Sequence, residues 1–199
     1  MLTTSDKIRP ESLLTLEAYA KARADFRAKV IAHKKDRAVQ LGEHLTLMFE
    51  DELTIRYQVQ EMLRVERIFE EQGIRDELDA YNPLIPDGGN WKATMLIEYP
   101  DVDERRTMLT RLKGIERRVW AQVKGCARVY AIADEDLQRE NEEKTSSVHF
   151  LRFELPPGDR RALAGGAALA IGVEHADYTA SIDSVAPAVR TSLLRDLRI

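Results

Sequence analysis

The sequence predicts an α+β fold, a helical N-terminal half packed with a mainly antiparallel sheet in the C-terminal half. Three observations carry this. Apolar residues recur at helical spacing through most of residues 1–81, and they alternate as in strands in several runs after position 91. Between these regions lies Asn82 to Asn90, a loop with two prolines, two glycines and an Asp-Gly pair. A length of 199 residues suits one core. The expectation is therefore a single domain over 1–199, with a mainly helical sub-region 1–81 and a sheet with flanking helices over 91–199.

Leu16, Tyr19, Phe26 and Val30 share one face of a helix running from about Thr15 to Ala38. His44 to Glu50 alternates, with Leu45, Leu47 and Phe49 on one side of a strand. Asp51 is an N-cap for a second helix, whose stripe Ile55, Val59, Met62, Leu63 and Phe69 carries it to about Gln72. Gly73 ends that helix, and a weaker helical stretch continues through Asp79.

After the loop, Trp91 to Tyr99 reads as a strand. Asp101 with Glu104 three residues on has the form of a capping box, for a helix that Gly114 closes. Ile115 to Val123 and Ala127 to Ala133 alternate, joined by Lys124-Gly125. Asp134 to Lys144, with six acidic residues against two basic ones, reads as an exposed tip. His149 to Leu155 and Ala167 to Tyr178 are two further strands, joined by a Pro-Pro-Gly segment and a short helical turn. Pro187 opens a last helix carrying Val189, Leu193 and Leu197.

Composition narrows the function classes. Hydrophobic residues at 44% and charged residues at 32% describe a globular chain with a charged surface, not a disordered one. A net charge of -4 gives no general pull toward nucleic acid or anionic membrane. Met1 to Leu14 has no apolar core or cleavage pattern, and Ala162 to Val173 is too short to span a bilayer. With Cys126 as the one cysteine, an intramolecular disulfide is impossible and a cytosolic setting is expected. There is no G-x-S-x-G elbow, Walker loop, dinucleotide fingerprint or H-E-x-x-H.

Three constellations remain. His149 is in phase with Leu151, Phe153 and Leu155, and His175 with Leu169, Ile171 and Val173. In a hairpin that sets Leu155 opposite Leu169, His149 faces His175, and Asp177 follows in the same phase. Such a pair could hold a single divalent metal, with Asp177 as carboxylate ligand; the bland alternative is two histidines bonded to backbone or water at a strand end. Second, Glu66 falls within the stripe of the second helix, while Arg23 lies in that of the first and His33 at its edge. A buried carboxylate requires a partner. Glu66, His33 and Arg23 are thus candidate catalytic residues of an acid/base cleft, or a buried ion pair fixing how two helices dock. Third, seven Lys/Arg between Lys21 and Arg37 could bind phosphates, although without interleaved aromatics they read more simply as a solvated helix face. Cys126 is expected to pack, although Lys124 and Arg128 could give its thiol an electropositive setting, and Trp91 and Trp120 are expected to pack or line a groove.

Several segments resemble a bacterial family of uncharacterised proteins, a domain of unknown function. They are Glu17-Ala18-Tyr19, Phe26 to Lys35, His44-Leu45-Thr46-Leu47, Tyr57 to Ile68 and Tyr81 to Pro86. Gly172 to Tyr178 is similar to a Gly-x-x-His-Pro-x-Tyr stretch of that family, with Ala176 in place of the proline. The resemblance implies genes neighbouring those for rubrerythrin and a heterodisulfide-reductase-like iron–sulfur protein, and so an oxidative-stress or iron-redox setting. It carries over no catalytic residue. The expectation is a cytosolic accessory protein of such a system, with rubrerythrin or an iron–sulfur protein as partner and a metal as possible cofactor. The alternatives are an enzyme with an acid/base cleft between the helical half and the sheet, or an anion or nucleic-acid binder through the first helix.

Overall fold

In a computed structural model of the chain, residues 7–135 and 144–199 are described. Of the acidic stretch expected as an exposed tip, residues 136–143 lie outside the described residues. Helix α1, Leu16–Lys35, starts at the Thr15 cap, whose hydroxyl accepts from the Ala18 N–H at 3.2 Å. The sequence carries this helix to Ala38, but the chain turns at Asp36 and Arg37 and enters strand β1, Ala38–Leu41. Four residues are too few for alternation to announce a strand.

Strand β2, Leu45–Glu50, runs into helix α2, Glu52–Glu66, through a capping box. Asp51 accepts from the Thr54 N–H at 3.0 Å, and the Thr54 hydroxyl accepts from the Asp51 N–H at 3.0 Å. Helix α2 stops well before Gln72, because Arg67 takes a left-handed conformation with φ 56°. Helix α3, Glu71–Tyr81, then runs through Gly73, the expected terminator.

Strand β3, Asn90–Ile97, follows the predicted loop. Helix α4, Val102–Arg111, begins where Asp101 accepts from the Glu104 N–H at 2.8 Å. A 3-10 turn, Ile115–Arg118, replaces the first part of the strand expected there and leads into β4, Val119–Val123. The run Ala127 to Ala133 divides into β5, Val129–Tyr130, and β6, Ile132–Ala133. Then come β7, Val148–Glu154, helix α5, Pro157–Ala164, β8, Leu169–His175, β9, Tyr178–Ile182, and helix α6, Pro187–Leu194.

The α+β class holds, with two sheets in place of one. The first has the order β1-β2-β3-β7-β6 and the second β5-β4-β8-β9. Every strand pairing among the described residues is antiparallel. Their inner faces share one core, with Leu45, Leu47, Phe49, Trp91, Met95 and Phe153 from the first sheet and Val119, Ala121, Ile171 and Val173 from the second. Trp91 is fully buried, and its indole N–H donates to the Leu193 carbonyl at 2.9 Å, so α6 closes one end of this core. A smaller apolar cluster, Ile8, Ile55, Val59, Leu63, Leu78 and Ile85, holds the helical layer together.

Tyr178 ties the edges of the two sheets. Its hydroxyl donates to the Leu41 carbonyl at 2.6 Å and accepts from the His44 N–H at 3.0 Å. Gly42 makes room for it: φ is +68°, and a Cβ there would sit 2.5 Å from the Tyr178 oxygen. Gly125 has a similar φ of +87° with nothing within 4 Å. Gly42→Ala should therefore lose about 1–3 kcal/mol of stability, and more than Gly125→Ala, in urea unfolding. Equal losses would mean that backbone strain alone matters and the Tyr178 contact does not.

Candidate functional site

The strand phase of β2 builds the site. Leu45, Leu47 and Phe49 point into the core, which leaves Thr46, Met48 and Glu50 on the outer face, toward the helical layer. There a cavity of about 300 Å³ lies between helices and first sheet, lined among others by Lys34, Thr54, Tyr81, Leu96 and Phe150. Glu50 is its acidic group. It is only 8% exposed, accepting from the Thr94 hydroxyl at 2.7 Å and the Thr54 hydroxyl at 2.5 Å. No ion pair among the described residues reaches its carboxylate, so two neutral hydroxyls and the N-terminus of α2 stabilise the charge. Lys34, half-buried, lines the same cavity. A buried carboxylate and an amine in a mostly apolar pocket form an arrangement that can orient a small polar molecule and exchange a proton with it.

The predicted catalytic trio is not brought together. Glu66 is exposed: α2 ends at that residue, and in its last turn the packed position is taken by Leu63. Phe69, expected in the same stripe, is 73% exposed. Helices α1 and α2 run antiparallel, and Arg23 meets Glu61 instead, with contacts of 2.8 and 3.0 Å. Tyr19 also donates to Glu61, at 2.6 Å. These partners, the Arg23 guanidinium first, hold the Glu61 carboxyl down at about 2. Burial, with Glu61 beside it, pushes the Tyr19 hydroxyl up. This is the alternative foreseen for a carboxylate at the helix interface, a docking pair, with a different glutamate.

His33 belongs to another group. Its Nε2 lies 2.5 Å from Asp51, at the edge of a buried cluster centred on Arg37. The Arg37 side chain is 1% exposed and donates to the carbonyls of Phe49 (2.8 Å) and Glu50 (2.9 Å), to Ser192 (3.2 Å) and to Asp196 (2.5 Å). Burial pushes the Asp196 carboxyl up to about 6, against the pull of Arg37. The basic run from Lys21 to Arg37 is thus no single face. Arg37 is buried, Arg23 is paired with Glu61, Lys21 with Glu17, and Lys34 faces the cavity.

The hairpin of β7 and β8 does not form. Strand β7 pairs with β3 and β6 in the first sheet, and β8 with β4 and β9 in the second, so His149 and His175 are not cross-strand partners. Helix α5 between them carries the chain from one sheet to the other. Both histidines face inward as their phase predicts, but both ring nitrogens of each are engaged. His149 Nδ1 donates to Asp134 at 2.5 Å, and Nε2 lies 2.9 Å from the Thr145 hydroxyl and 3.0 Å from the Ser146 carbonyl. His175 Nε2 donates to the Lys113 carbonyl at 3.1 Å, and Nδ1 accepts from the Asp177 N–H at 3.2 Å. Asp177 is ion-paired with Arg111. Among the described residues no group of three or more His, Cys, Asp or Glu side chains is placed to hold a metal.

Cys126 is partly buried against the core, and burial, with Asp159 beside it, pushes its thiol up, away from a reactive thiolate. Trp120 packs flat over Gly172, with the Arg128 guanidinium 4.0 Å from its ring centre. No helix among the described residues is long and apolar enough to cross a membrane. Glu50 escaped the sequence reading because the outer phase of a strand looks solvent-facing until a helical layer is known to cover it. The one signal was its place directly before an Asp-x-x-Thr helix cap.

Comparison with known proteins agrees with this fold. A family model described as "Protein of unknown function (DUF3501)" matches residues 7–197. A crystal structure of a novel protein of unknown function from Burkholderia pseudomallei is similar at 56% identity and a TM-score of 0.92, covering 97% of this chain and 100% of that one. Among curated proteins none matches this chain.

Proposed function

The chain belongs to the DUF3501 family, whose function is unknown, and from that premise we propose that the cleft between the helical layer and the first sheet binds a small molecule, with Glu50 as its acid–base group. The observation that carries the reading is Glu50 itself, a buried carboxylate held by two threonine hydroxyls and opening into a cavity of about 300 Å³. Asp196 is matched by a buried cation, Arg37, whereas Glu50 is held by neutral hydroxyls. Here the place beside it is open to a ligand hydroxyl or amine, while Lys34 offers a charge to an anionic end.

The test is a screen of small alcohols, amines and carbonyl compounds by amide chemical-shift mapping. Binders should perturb Thr54, Thr94 and Phe150 together. Glu50→Gln keeps the shape and both threonines, and should weaken such binders about tenfold or more, as expected for a hydrogen bond to a charged group. Binding that leaves these residues unperturbed, or equal affinity in Glu50→Gln, would sink the proposal.

The cytosolic redox setting implied by the family resemblance is proposed as the context of this site, with rubrerythrin or an iron–sulfur protein as partner. Its support is the resemblance and not a residue of the cleft. Co-purification of either protein with the chain from its native host supports that context; failure to find them removes the context and leaves the cleft proposal standing.

A further inference from the structure

The outer face of the first sheet carries a second polar group next to Glu50. Antiparallel register sets Glu50 opposite Lys92 on β3, and Lys92 opposite Arg152 on β7. The inner phase of β3, Trp91, Ala93, Met95 and Ile97, is buried in the core, so Lys92 shares the outer phase with Thr94 and Leu96. Lys92 is half-buried and lines a cavity of about 280 Å³ with Pro83, Leu84, Phe150 and Arg152. Leu84 and Phe150 also line the Glu50 cleft, so the two spaces have common walls.

Each carboxylate near Lys92 accepts from another donor. Arg152 takes both oxygens of Glu135, at 2.6 and 2.7 Å, and also pairs with Glu154. Glu154 Oε1 also accepts from the Asn90 amide at 3.0 Å, and Asp87 Oδ1 accepts from the Gly89 N–H at 2.8 Å. No ion pair among the described residues reaches the Lys92 amine. Burial lowers its pKa and the Arg152 charge lowers it further, with Glu135, Asp87 and Glu154 opposing. A lysine in such a setting keeps a larger neutral, nucleophilic fraction than one at the surface.

We propose that Lys92 is a nucleophilic amine of this cleft, forming a reversible imine with an aldehyde or ketone that packs against Phe150 and Leu84. The proposal rests on the cleft being a small-molecule site and names the class of ligand. The lone pair of the neutral Lys92 Nζ forms the N–C bond as the carbonyl π bond breaks. Both amine protons then leave with the carbonyl oxygen as water, and hydrolysis runs the same steps backward. The apolar walls favour the imine by restricting water.

The experiment treats the full-length protein with benzaldehyde and sodium cyanoborohydride, which delivers hydride to the imine carbon and fixes it as a secondary amine. Peptide mass spectrometry then reads the modified lysines. Lys92 should be trapped faster at pH 7 than the exposed Lys35, because burial and the Arg152 charge enlarge its neutral fraction. Its rate should also half-rise at lower pH than that of Lys35, which distinguishes a tuned amine from a merely accessible one. Lys92→Arg should lose the fast phase and leave labelling at Lys35 unchanged. A rate at Lys92 no higher than at Lys35, or the same pH profile for both, overturns the proposal. Running Glu50→Gln in parallel separates the two readings. Fast trapping there with small-molecule binding unchanged removes Glu50 and keeps Lys92, whereas an inert Lys92 beside Glu50-dependent binding removes Lys92 alone.

Discussion

Replacing Arg37 by alanine should lower the free energy of unfolding by about 3–5 kcal/mol, the range for breaking a buried ion pair from one side. The guanidinium is 1% exposed and holds three parts of the chain at once. Its Nε and one terminal nitrogen serve the Phe49 and Glu50 carbonyls where β2 ends, while Ser192 and Asp196 are received from the C-terminal segment. Alanine would leave those acceptors unsatisfied in a space the size of the lost side chain. Lysine should not restore the loss, because one ammonium cannot reproduce the planar fork that reaches two carbonyls and a carboxylate together. Asp196→Asn should cost less, about 1–3 kcal/mol, since Arg37 keeps both carbonyls and has Asp51 at 3.4 Å. Chemical unfolding midpoints of the three variants order these effects. A loss below about 1 kcal/mol for Arg37→Ala would show that the cluster contributes no more than a surface ion pair does.

His149→Ala should cost about 2–4 kcal/mol, while His175→Ala costs less than about 1 kcal/mol. His149 is fully buried and bonds on both sides, to Asp134 and to the Thr145–Ser146 segment. Removing the ring opens a cavity and strips the close partner from a carboxylate whose side chain is 11% exposed. His175 sits half-buried at the end of β8, and in the variant water takes the place of its ring N–H at the Lys113 carbonyl. The contrast separates the geometry seen here from a shared metal site. Two ligands of one ion would show similar losses, and stripping the metal from the wild type would produce the same loss. Similar losses for both variants would therefore count against two independent structural histidines.

Much of the fold was legible because the signals are local. The N-caps at Asp51 and Asp101 are contacts within four residues, and the proline opening α6 acts through its own backbone torsion. The inward phase of β2, β3, β7 and β8 follows from alternation, and for His149 and His175 that phase was read correctly. Their pairing was not. Phase says which way a side chain points but not which strand lies beside it. A connection long enough to hold α5 leaves the choice of sheet to the packing of the whole core. The length of α2 likewise turned on one backbone torsion, at Arg67, which no apolar pattern encodes.

By itself, the sequence determined the α+β class, the order of most elements and the absence of several familiar catalytic motifs. Only the tertiary structure decided that the strands divide into two sheets, that Arg23 meets Glu61 rather than Glu66, that Glu50 lies under a helical layer and that Lys92 is half-buried beside Pro83 and Leu84. The reason is physical. Helix caps and strand phase arise between near neighbours in the chain, whereas the surroundings of a charged side chain depend on what a distant segment lays over it.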